Sequence, residues 1–525
     1  MRRFRIWLHW IGGVLLVSGI LAALDGRGEM LSGWLAYCAL CALSAVMIWL
    51  AWRWVAAGDG PRWLMVVLGV ALALRLGVGI ALTYALPRFG YDADPQRAGY
   101  VFRDAFTRDE QAWSLAASDK MLISAFTERR GSDQYGGLLY VSALTYRSLS
   151  PDVHRPLLIA VLSAVISSLA VLFTWGFAAM TFGPGVAAFG AWLVTLYPDA
   201  IMLGASQMRE PFIGTALAIV LYGYGVLRLG RLKQGLLTML VPALVIALPL
   251  SPPYALAILG AVGGAWLWEK RLITSRSKWF IMPLLGLALV ATLLVVRSWS
   301  TIGDLSSAGF GVLLEWWKSA GAQWQLNLLW MQSDWTRHLF RGTPEWAHLP
   351  LIVVYGLIRP FLPAAIVDHG TPLWRMIAIL RGVGWIVLLP FLLYTPLAAL
   401  RRSGRRGLPT YLSLVVWLTA ILASYRGAGD QWDNPRYRTV FLTAQAVLAG
   451  WAWVNARQID SPWLRRTVLV VGISTGLFTL WYSQRYKWLP YFSVVHAVGV
   501  VGTFIVLFLG SSILCDVLRK RQKGA

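Results

Sequence analysis

Residues 154–230 read HRPLLIAVLSAVISSLAVLFTWGFAAMTFGPGVAAFGAWLVTLYPDAIMLGASQMREPFIGTALAIVLYGYGVLRLG, and this stretch decides the class of fold. It contains three apolar runs, near 156–182, 185–203 and 211–229. As helices, such runs can cross the hydrocarbon core of a bilayer, which is roughly 30 Å thick. A short FGPG turn separates the first two runs, and a proline-containing turn comes before the third. The stretch therefore predicts three successive transmembrane helices.

Most of the chain continues this pattern. Its 525 residues are 58% hydrophobic and only 14% charged, with a mean hydropathy of +0.61. Such a composition cannot cover a water-soluble surface, so we predict an all-α polytopic membrane protein with about 14 spans. Two polar stretches, 87–155 and 298–350, interrupt the apolar runs and are expected to form loops with interfacial helices. The predicted spans lie near residues 6–24, 31–53, 63–86, 156–182, 185–203, 211–229, 236–268 (a proline-broken pair), 279–297, 374–399, 409–424, 438–455, 464–482 and 488–514.

The formal net charge of +23 does not indicate nucleic-acid binding. Most Lys and Arg residues lie at the ends of apolar runs, where the preference for positive charge on the cytoplasmic side explains them. Placing MRRFR, RLGRLKQG and RRSGRRG inside requires that segment 349–366 does not cross the membrane. We interpret this segment as re-entrant or outward-facing, and as broken at Pro360 and Pro363. Both polar stretches then face the outside.

The stretch FTRDEQAWSLAASDKM, residues 106–121, places two adjacent acids in the first outer loop. Thr107 and Glu110 fit a capping box at a helix N-terminus, with Asp109 in the first turn. The apolar residues that follow, including Trp113, favour a helix lying along the membrane interface. A catalytic carboxylate is the alternative interpretation of Asp109. Both interpretations stay open at this point.

Further charged residues lie at the outer ends of the predicted spans. The planar guanidinium of arginine can hold two phosphate oxygens, and a carboxylate can deprotonate or orient a hydroxyl. We therefore expect a site that handles a phosphate-bearing lipid. Its candidate substrate-binding residues are Asp199, Arg209, Glu210, Arg359, Arg436 and Arg438.

Arg75 is a separate case, because it lies near the middle of the third apolar run. A charge at that depth marks an internal partner or a cavity, so contact with a lipid phosphate and a structural pairing both stay open. Asp92 and Asp94 are alternatives to Asp109 as a catalytic acid, although turn chemistry also explains an Asp-Pro pair.

The motif RDEQAW, the run of three spans at 154–230 and the late sequence NPRYRTVFLTAQAVLAGWAW together resemble the GT-C superfamily of polyprenyl-phosphate-dependent glycosyltransferases. The similarity is to the branch with protein O-mannosyltransferases and lipid A aminoarabinose transferases, and it is clearest over residues 87–230. The resemblance implies that Asp109 is the catalytic base of an inverting transfer or the group that orients the acceptor hydroxyl. Glu110 then supports the site or caps its helix. The resemblance also implies that arginines neutralise the departing polyprenyl phosphate, the candidates being Arg209, Arg359, Arg436 and Arg438.

The same resemblance implies the partners and the location. The donor is a sugar linked to polyprenyl phosphate, and the acceptor is a protein, lipid or glycan. We expect an integral protein of the bacterial inner membrane, surrounded by membrane lipids, with its active site facing the periplasm. No metal-ligand pattern is present, and a requirement for a divalent cation stays open. The chain departs from the family in having three spans before the acidic loop instead of one.

Three other functions remain as alternatives. A lipid or sugar transporter places its ionisable groups near the bilayer midplane, whereas most acids here are predicted to lie outside. An O-antigen ligase or polymerase is also a basic polytopic enzyme, but it relies on a late outer loop. A scaffold without catalytic activity is the third alternative, if the acids only cap helices.

Overall fold

The computed structural model describes residues 2–56, 60–127, 135–269, 342–404, 407–427, 430–459, 461–484, 490 and 492–523. Throughout these ranges the regular elements are helices, and no strand occurs among them. The all-α prediction is confirmed for this part of the chain. The chain divides into two compact units, Met1–Ser307 with Thr439–Gly450 and Ala308–Arg438 with Trp451–Ala525.

The first unit is built around two helices, α8 and α11, which are buried over 89% of their most apolar stretches. A helix that is apolar on all sides is stable only when it is surrounded, and α2, α3 and α9 pack against α8. A π-helical turn, Ala243–Ala247, joins α12 to α13. The helices of this unit are α1 Arg2–Asp25, α2 Met30–Ala56, α3 Arg62–Phe89, α4 Asp94–Arg97, α5 Arg103–Ala116, α6 Ser124–Thr127, α7 Gly137–Leu149, α8 Leu157–Phe182, α9 Pro184–Leu196, α10 Pro198–Gly204, α11 Glu210–Arg228, α12 Leu232–Pro242, α13 Leu248–Leu250 and α14 Pro252–Glu269.

The remaining described helices fall in the second unit, except that residues 439–450 are grouped with the first. Within the second unit, Tyr394, Ala452, Ala456 and Leu464 form a buried apolar cluster. The late helices therefore have a packed core of their own. Their bounds are Glu345–Leu357, Leu362–Val367, Pro372–Ser403, Leu408–Gly427, Asp433–Thr439, Leu442–Gln458, Pro462–Ser483 and Val494–Lys523.

Eight described helices are long and apolar enough to cross a membrane, or nine if the bent pair α9 and α10 counts as one span. The protein is therefore a polytopic membrane protein. The predicted spans near 6–24, 438–455 and 464–482 also fall on helices, but these are not among the eight. The predicted span 279–297 and most of the polar stretch 298–350 lie outside the described residues. The eight are Met30–Ala56, Arg62–Phe89, Leu157–Phe182, Glu210–Arg228, Leu232–Leu250, Pro372–Ser403, Leu408–Gly427 and Val494–Leu518.

The predicted span 185–203 is not one straight helix, because α9 and α10 meet at an angle of 56°. Pro198 has no N–H and its ring clashes with the preceding turn, so the helix breaks there. The break removes the helical partners of the last carbonyl groups of α9. Arg75, which is fully buried, donates to two of them, the Val194 oxygen at 2.9 Å and the Thr195 oxygen at 3.5 Å. Arg75 therefore stabilises the break.

Segment 349–366 is also interrupted, as the sequence predicts. One helix ends at Leu357 and the next begins at Leu362, with Pro360 in the break. Pro363 lies in the first turn of the second helix, where a missing N–H does no harm. The predicted helix break is confirmed, and its re-entrant position in the bilayer stays a prediction.

The turn between α1 and α2 is anchored to the chain just before α8. Arg155 is 1% exposed, and its Nη1 atom lies 2.9 Å from the Asp25 carboxylate. Its Nη2 atom donates to the carbonyl oxygen of Glu29 and to the hydroxyl of Ser32, both at 3.1 Å. A Cβ atom at Gly33 would lie 2.8 Å from this guanidinium, so the glycine leaves room for the Arg155 side chain in its present position. The two N-terminal helices, for which the sequence provides no role, are thus connected to the segment just before α8.

Arg155→Met is expected to reduce the free energy of unfolding by about 3–5 kcal/mol, because it leaves the Asp25 carboxylate buried without its partner. Chemical denaturation of the purified protein in detergent measures this loss. Arg97→Met is the matched control, since the Arg97 side chain is 61% exposed where it pairs with Asp94. We expect it to change stability by about 1 kcal/mol at most. Equal losses of stability for the two variants would show that the Arg155–Asp25 pair does not anchor the turn between α1 and α2.

Candidate functional site

Helix α5 carries the acidic motif, and it begins earlier than the sequence indicates. The residue before its first turn is Phe102, and no side chain caps its start. Thr107 therefore lies inside the helix, and the capping-box interpretation of Thr107 and Glu110 is wrong, because that motif requires the threonine at the N-cap. The acid of the first turn is Asp104. Asp109 is on the buried face of α5, whereas Glu110 is exposed.

The rotation of α5 is set by its packing against α7. Leu115 on α5 and Ala143 and Tyr146 on α7 are each at most 1% exposed and belong to one apolar cluster. Arg147, also on α7, donates to the Leu115 carbonyl at 2.7 Å and to the Ala116 carbonyl at 3.1 Å. These carbonyls belong to the last turn of α5, where a cation is favoured. Packing and this cap together direct Asp109 toward the interior.

The Asp109 carboxylate is 1% exposed and accepts hydrogen bonds at both oxygens. The Tyr146 hydroxyl donates to Oδ1, and the Tyr100 hydroxyl donates to Oδ2 at 2.5 Å. The His154 Nε2 atom lies 2.7 Å from the same Oδ2 atom. An ionised carboxylate is stable away from water only when it is paired and hydrogen-bonded, and these three groups provide that.

Both tyrosines remain protonated beside Asp109. Burial raises the pKa of the Tyr100 phenol well above its usual value, and the nearby Asp109 charge raises it further. Burial and then Asp109 likewise raise the pKa of Tyr146. A phenolate next to a buried carboxylate would place two negative charges together in a medium of low dielectric constant. The two phenols therefore act as donors to Asp109.

His154 is partly exposed, as Tyr100 is: its side chain is 18% exposed, while that of Asp109 is 0% exposed. Its ring stacks on Trp113, with centroids 5.1 Å apart and planes 13° apart. The Tyr146 ring packs edge-on against it at 5.2 Å. Arg27, in the turn between α1 and α2, donates to the His154 carbonyl at 3.2 Å. Both the ring and the backbone of His154 are therefore held in place.

A cavity of about 320 Å³ lies beside this group and is lined by Tyr100. Gly99 has φ +84°, and a Cβ atom there would lie 2.7 Å from the Thr83 carbonyl oxygen. Only glycine therefore allows the chain to pass this close to α3 and to direct Tyr100 toward Asp109. The cavity is large enough for a small ligand. Its charged lining residues are Asp25, Arg27 and Arg97.

The other predicted site residues of the first unit lie apart from this group. Arg209 and Glu210 are paired at the start of α11, with 3.9 Å between Nε and Oε1. Glu210 and Asp199 are each 2% exposed. Among the described residues, the polar partners of Asp109 are the two tyrosines and the histidine, so the structure does not bring Arg209 into contact with it. Arg75 donates to carbonyls of α9 and, at 2.8 Å, to the Ser167 hydroxyl.

The three other predicted arginines belong to the second unit. Arg438 is 1% exposed, donates to the Arg359 carbonyl at 2.8 Å, and has its guanidinium carbon 3.4 Å from the centre of the Trp385 ring. Arg436 is 7% exposed, with Nη2 3.4 Å from the Asp433 carboxylate. The structure thus brings Arg359 and Arg438 into contact among buried aromatic and polar groups.

The sequence did not identify the partners of Asp109. Tyr146 and His154 follow it by 37 and 45 residues, and Tyr100 precedes it by nine. No helical or strand period connects these positions. The only signal in the sequence was that all four residues lie in the polar stretch 87–155. In the described part of the chain, no three or more His, Cys, Asp or Glu side chains are grouped as a metal site would require.

Comparisons with known proteins do not assign a family. No family model matches the sequence, and no curated protein matches it. A solved structure of the archaeal oligosaccharyltransferase AglB from Archaeoglobus fulgidus, in complex with an inhibitory peptide and a dolichol-phosphate, is similar over 85% of this chain and 54% of that one. The identity is 13% and the TM-score is 0.39. The chain thus spans about half the length of that protein, and a likeness at this level carries no argument about fold or function.

Tyr146→Phe is expected to lower the free energy of unfolding by about 1–3 kcal/mol, because it removes the donor to a buried carboxylate oxygen and preserves the ring. Thermal and chemical unfolding in detergent measure the change. Tyr140→Phe is the matched control, because Tyr140 packs only partly buried against the same cluster. It should change stability by about 0.5 kcal/mol at most. If Tyr146→Phe behaves like this control, the hydroxyl does not hold Asp109.

Proposed function

We propose that this protein is a membrane glycosyltransferase of the GT-C type, which transfers a sugar from a polyprenyl-phosphate donor to an acceptor hydroxyl at the outer leaflet. The observation that carries the proposal is the Asp109 carboxylate, a buried charge with three hydrogen-bond partners on the helix that bears the RDEQAW motif. Charged groups removed from water and held by specific partners concentrate at functional sites. No purely structural pairing, such as a salt bridge to arginine, accounts for this acid among its described contacts.

Glycosyl transfer with inversion needs a group that takes the proton of the acceptor hydroxyl while its oxygen attacks the anomeric carbon. In the proposed reaction, Asp109 supplies the negative charge that favours this proton transfer. Glu110 is exposed on the same helix and is assigned a supporting role.

The departing polyprenyl phosphate gains negative charge as the sugar leaves, and fixed positive groups stabilise it. We assign this role to the arginines predicted from the sequence. In the second unit these are Arg359, Arg436 and Arg438, which lie among aromatic rings, and in the first unit Arg209, next to Glu210. Asp199 is assigned to the same binding region. Arginine suits this role because its fork can hold two phosphate oxygens at once.

The proposal includes a location and a set of partners. The protein is placed in the bacterial inner membrane with its site toward the periplasm, and its acceptor is a protein, a lipid or a glycan. The alternative of a transporter depended on Arg75 as an ionisable group at mid-membrane depth. Because Arg75 bonds to the carbonyls at the end of α9, it has a structural role that needs no transported substrate.

Asp109→Asn is expected to lower sugar transfer at least about 100-fold, because it removes the negative charge that assists proton transfer. The full-length chain in lipid nanodiscs is incubated with a panel of polyprenyl-phosphate sugars and a membrane extract as acceptor. Release of free polyprenyl phosphate is the measured quantity.

Asp104→Asn is the matched control, because it removes an exposed acid from the first turn of the same helix. We expect this variant to keep transfer within about threefold of the wild type, in line with the small effect of most surface changes. Size-exclusion profiles and melting temperatures establish that each variant is folded. An Asp109→Asn protein with the wild-type rate, or a wild-type protein that releases no polyprenyl phosphate from any donor, would contradict the proposed function.

A further inference from the structure

We infer that His154 is the residue that accepts the proton of the acceptor hydroxyl, and that Asp109 acts through it as a positioning residue. This inference rests on the proposed transfer reaction and assigns its proton-transfer step to a particular atom. It also departs from the sequence-based expectation that the Asp109 carboxylate meets the hydroxyl itself.

The surroundings of Asp109 leave little access for a substrate. Its side chain is 0% exposed, and both of its oxygens accept hydrogen bonds from neighbouring groups. A general base must come within hydrogen-bond reach of the proton that it abstracts. For Asp109 to do so directly, at least one of its tyrosine or histidine partners would have to move away. His154 is 18% exposed and needs no such rearrangement.

The contact with Asp109 also selects the form of the His154 ring. Nε2 faces the carboxylate at 2.7 Å. In this contact Nε2 carries the ring hydrogen and donates a hydrogen bond to Asp109. In a neutral imidazole the other nitrogen, Nδ1, then has a free lone pair. Within the described residues, Nδ1 makes no hydrogen bond with the protein. The ring that carries this basic nitrogen is the partly exposed member of the His154–Asp109 pair.

The groups that pack around His154 suit a proton acceptor. Asp109 on α5 provides a negative charge that stabilises the imidazolium once it forms. Tyr146 on α7 and Tyr100 before α5 are neutral donors to that carboxylate. Trp113 stacks on the ring, and the cation Arg27 contacts only the His154 backbone carbonyl. The charges of Arg27 and Glu110 also act on the neighbouring Tyr100 phenol.

The proton-transfer step can be written with every bond accounted for. The acceptor oxygen forms a bond to the anomeric carbon of the donor sugar, and its proton moves to Nδ1 of His154. The bond between that carbon and the phosphate oxygen breaks, and the electron pair leaves with the polyprenyl phosphate. His154 becomes an imidazolium, hydrogen-bonded to Asp109, and returns its proton to water before the next transfer.

The N-terminal helices gain a function from this assignment. The turn between them contacts two successive residues, with Arg27 on the His154 carbonyl and Asp25 on the Arg155 guanidinium. These contacts fix the segment that carries the proton acceptor. The two spans that distinguish this chain from the GT-C family thereby support the active site.

The first test is His154→Gln in the nanodisc transfer assay. Glutamine has an amide N–H that can still donate to Asp109, but it has no basic nitrogen. We expect transfer to fall at least about 100-fold while the melting temperature stays close to that of the wild type. His496→Gln is the matched control, because His496 is exposed on the last described helix, where it bonds to Ser493. This control should transfer at the wild-type rate.

The second test is rescue of His154→Gly by added imidazole. If His154 accepts the proton, free imidazole restores transfer, and the restored rate rises with pH as the neutral form of imidazole accumulates. A purely structural role of the ring would give no such pH dependence. Asp109→Asn should show no rescue by imidazole.

Two results would overturn the inference. If His154→Gln transfers at the wild-type rate while Asp109→Asn is inactive, Asp109 is itself the base and the proposed function survives. If His154→Gly is folded, inactive and not rescued at any imidazole concentration, His154 is structural and the proposed function again survives. A wild-type protein without transfer activity would instead overturn the proposed function and this inference together.

Discussion

The arrangement of the polar stretch 87–155 depends on one constraint, the buried carboxylate of Asp109. A carboxylate away from water must be surrounded by donors, and here each donor comes from a different part of the chain. Tyr100 precedes α5, Tyr146 lies on α7, and His154 lies just before α8. Three segments that share no regular hydrogen bonding are therefore joined at one side chain. The same contacts expose one face of the histidine and bury the acid.

Buried arginines satisfy the corresponding requirement for positive charge. Arg75, Arg155 and Arg438 are among the largest fully buried side chains of the described residues. Arg75 and Arg438 donate to backbone carbonyls at helix breaks, and Arg155 pairs with Asp25. In the sequence analysis, membrane topology alone explained the excess of basic residues. Some of these residues also hold irregular backbone segments together. This is physically reasonable, because a broken helix in an apolar surrounding leaves carbonyl groups that only a donor-rich side chain can satisfy.

The sequence was more informative about the site's central acid than about its surroundings. It selected Asp109 because two acids stand in a chain that otherwise avoids negative charge, and the structure places Asp109 at the centre of a hydrogen-bonded group. It did not select the tyrosines or His154, since their positions follow no period. It also misplaced the start of α5, because Thr107 fits a capping pattern although the helix already begins at Arg103. A local sequence motif carries no information on tertiary packing, which here extends α5 toward the N-terminus, to Arg103.

The sequence by itself determined the membrane class, the helical content and the helix break at Pro360, because hydropathy and the missing N–H of proline are local properties of the chain. The bend at Pro198 was not predicted, since 185–203 was interpreted as one span. Only the tertiary structure decided which groups meet Asp109 and that Arg75 serves a helix end. These contacts join residues that are 9 to 120 positions apart. Their formation depends on how helices pack and rotate, and this is a property of the whole assembled chain.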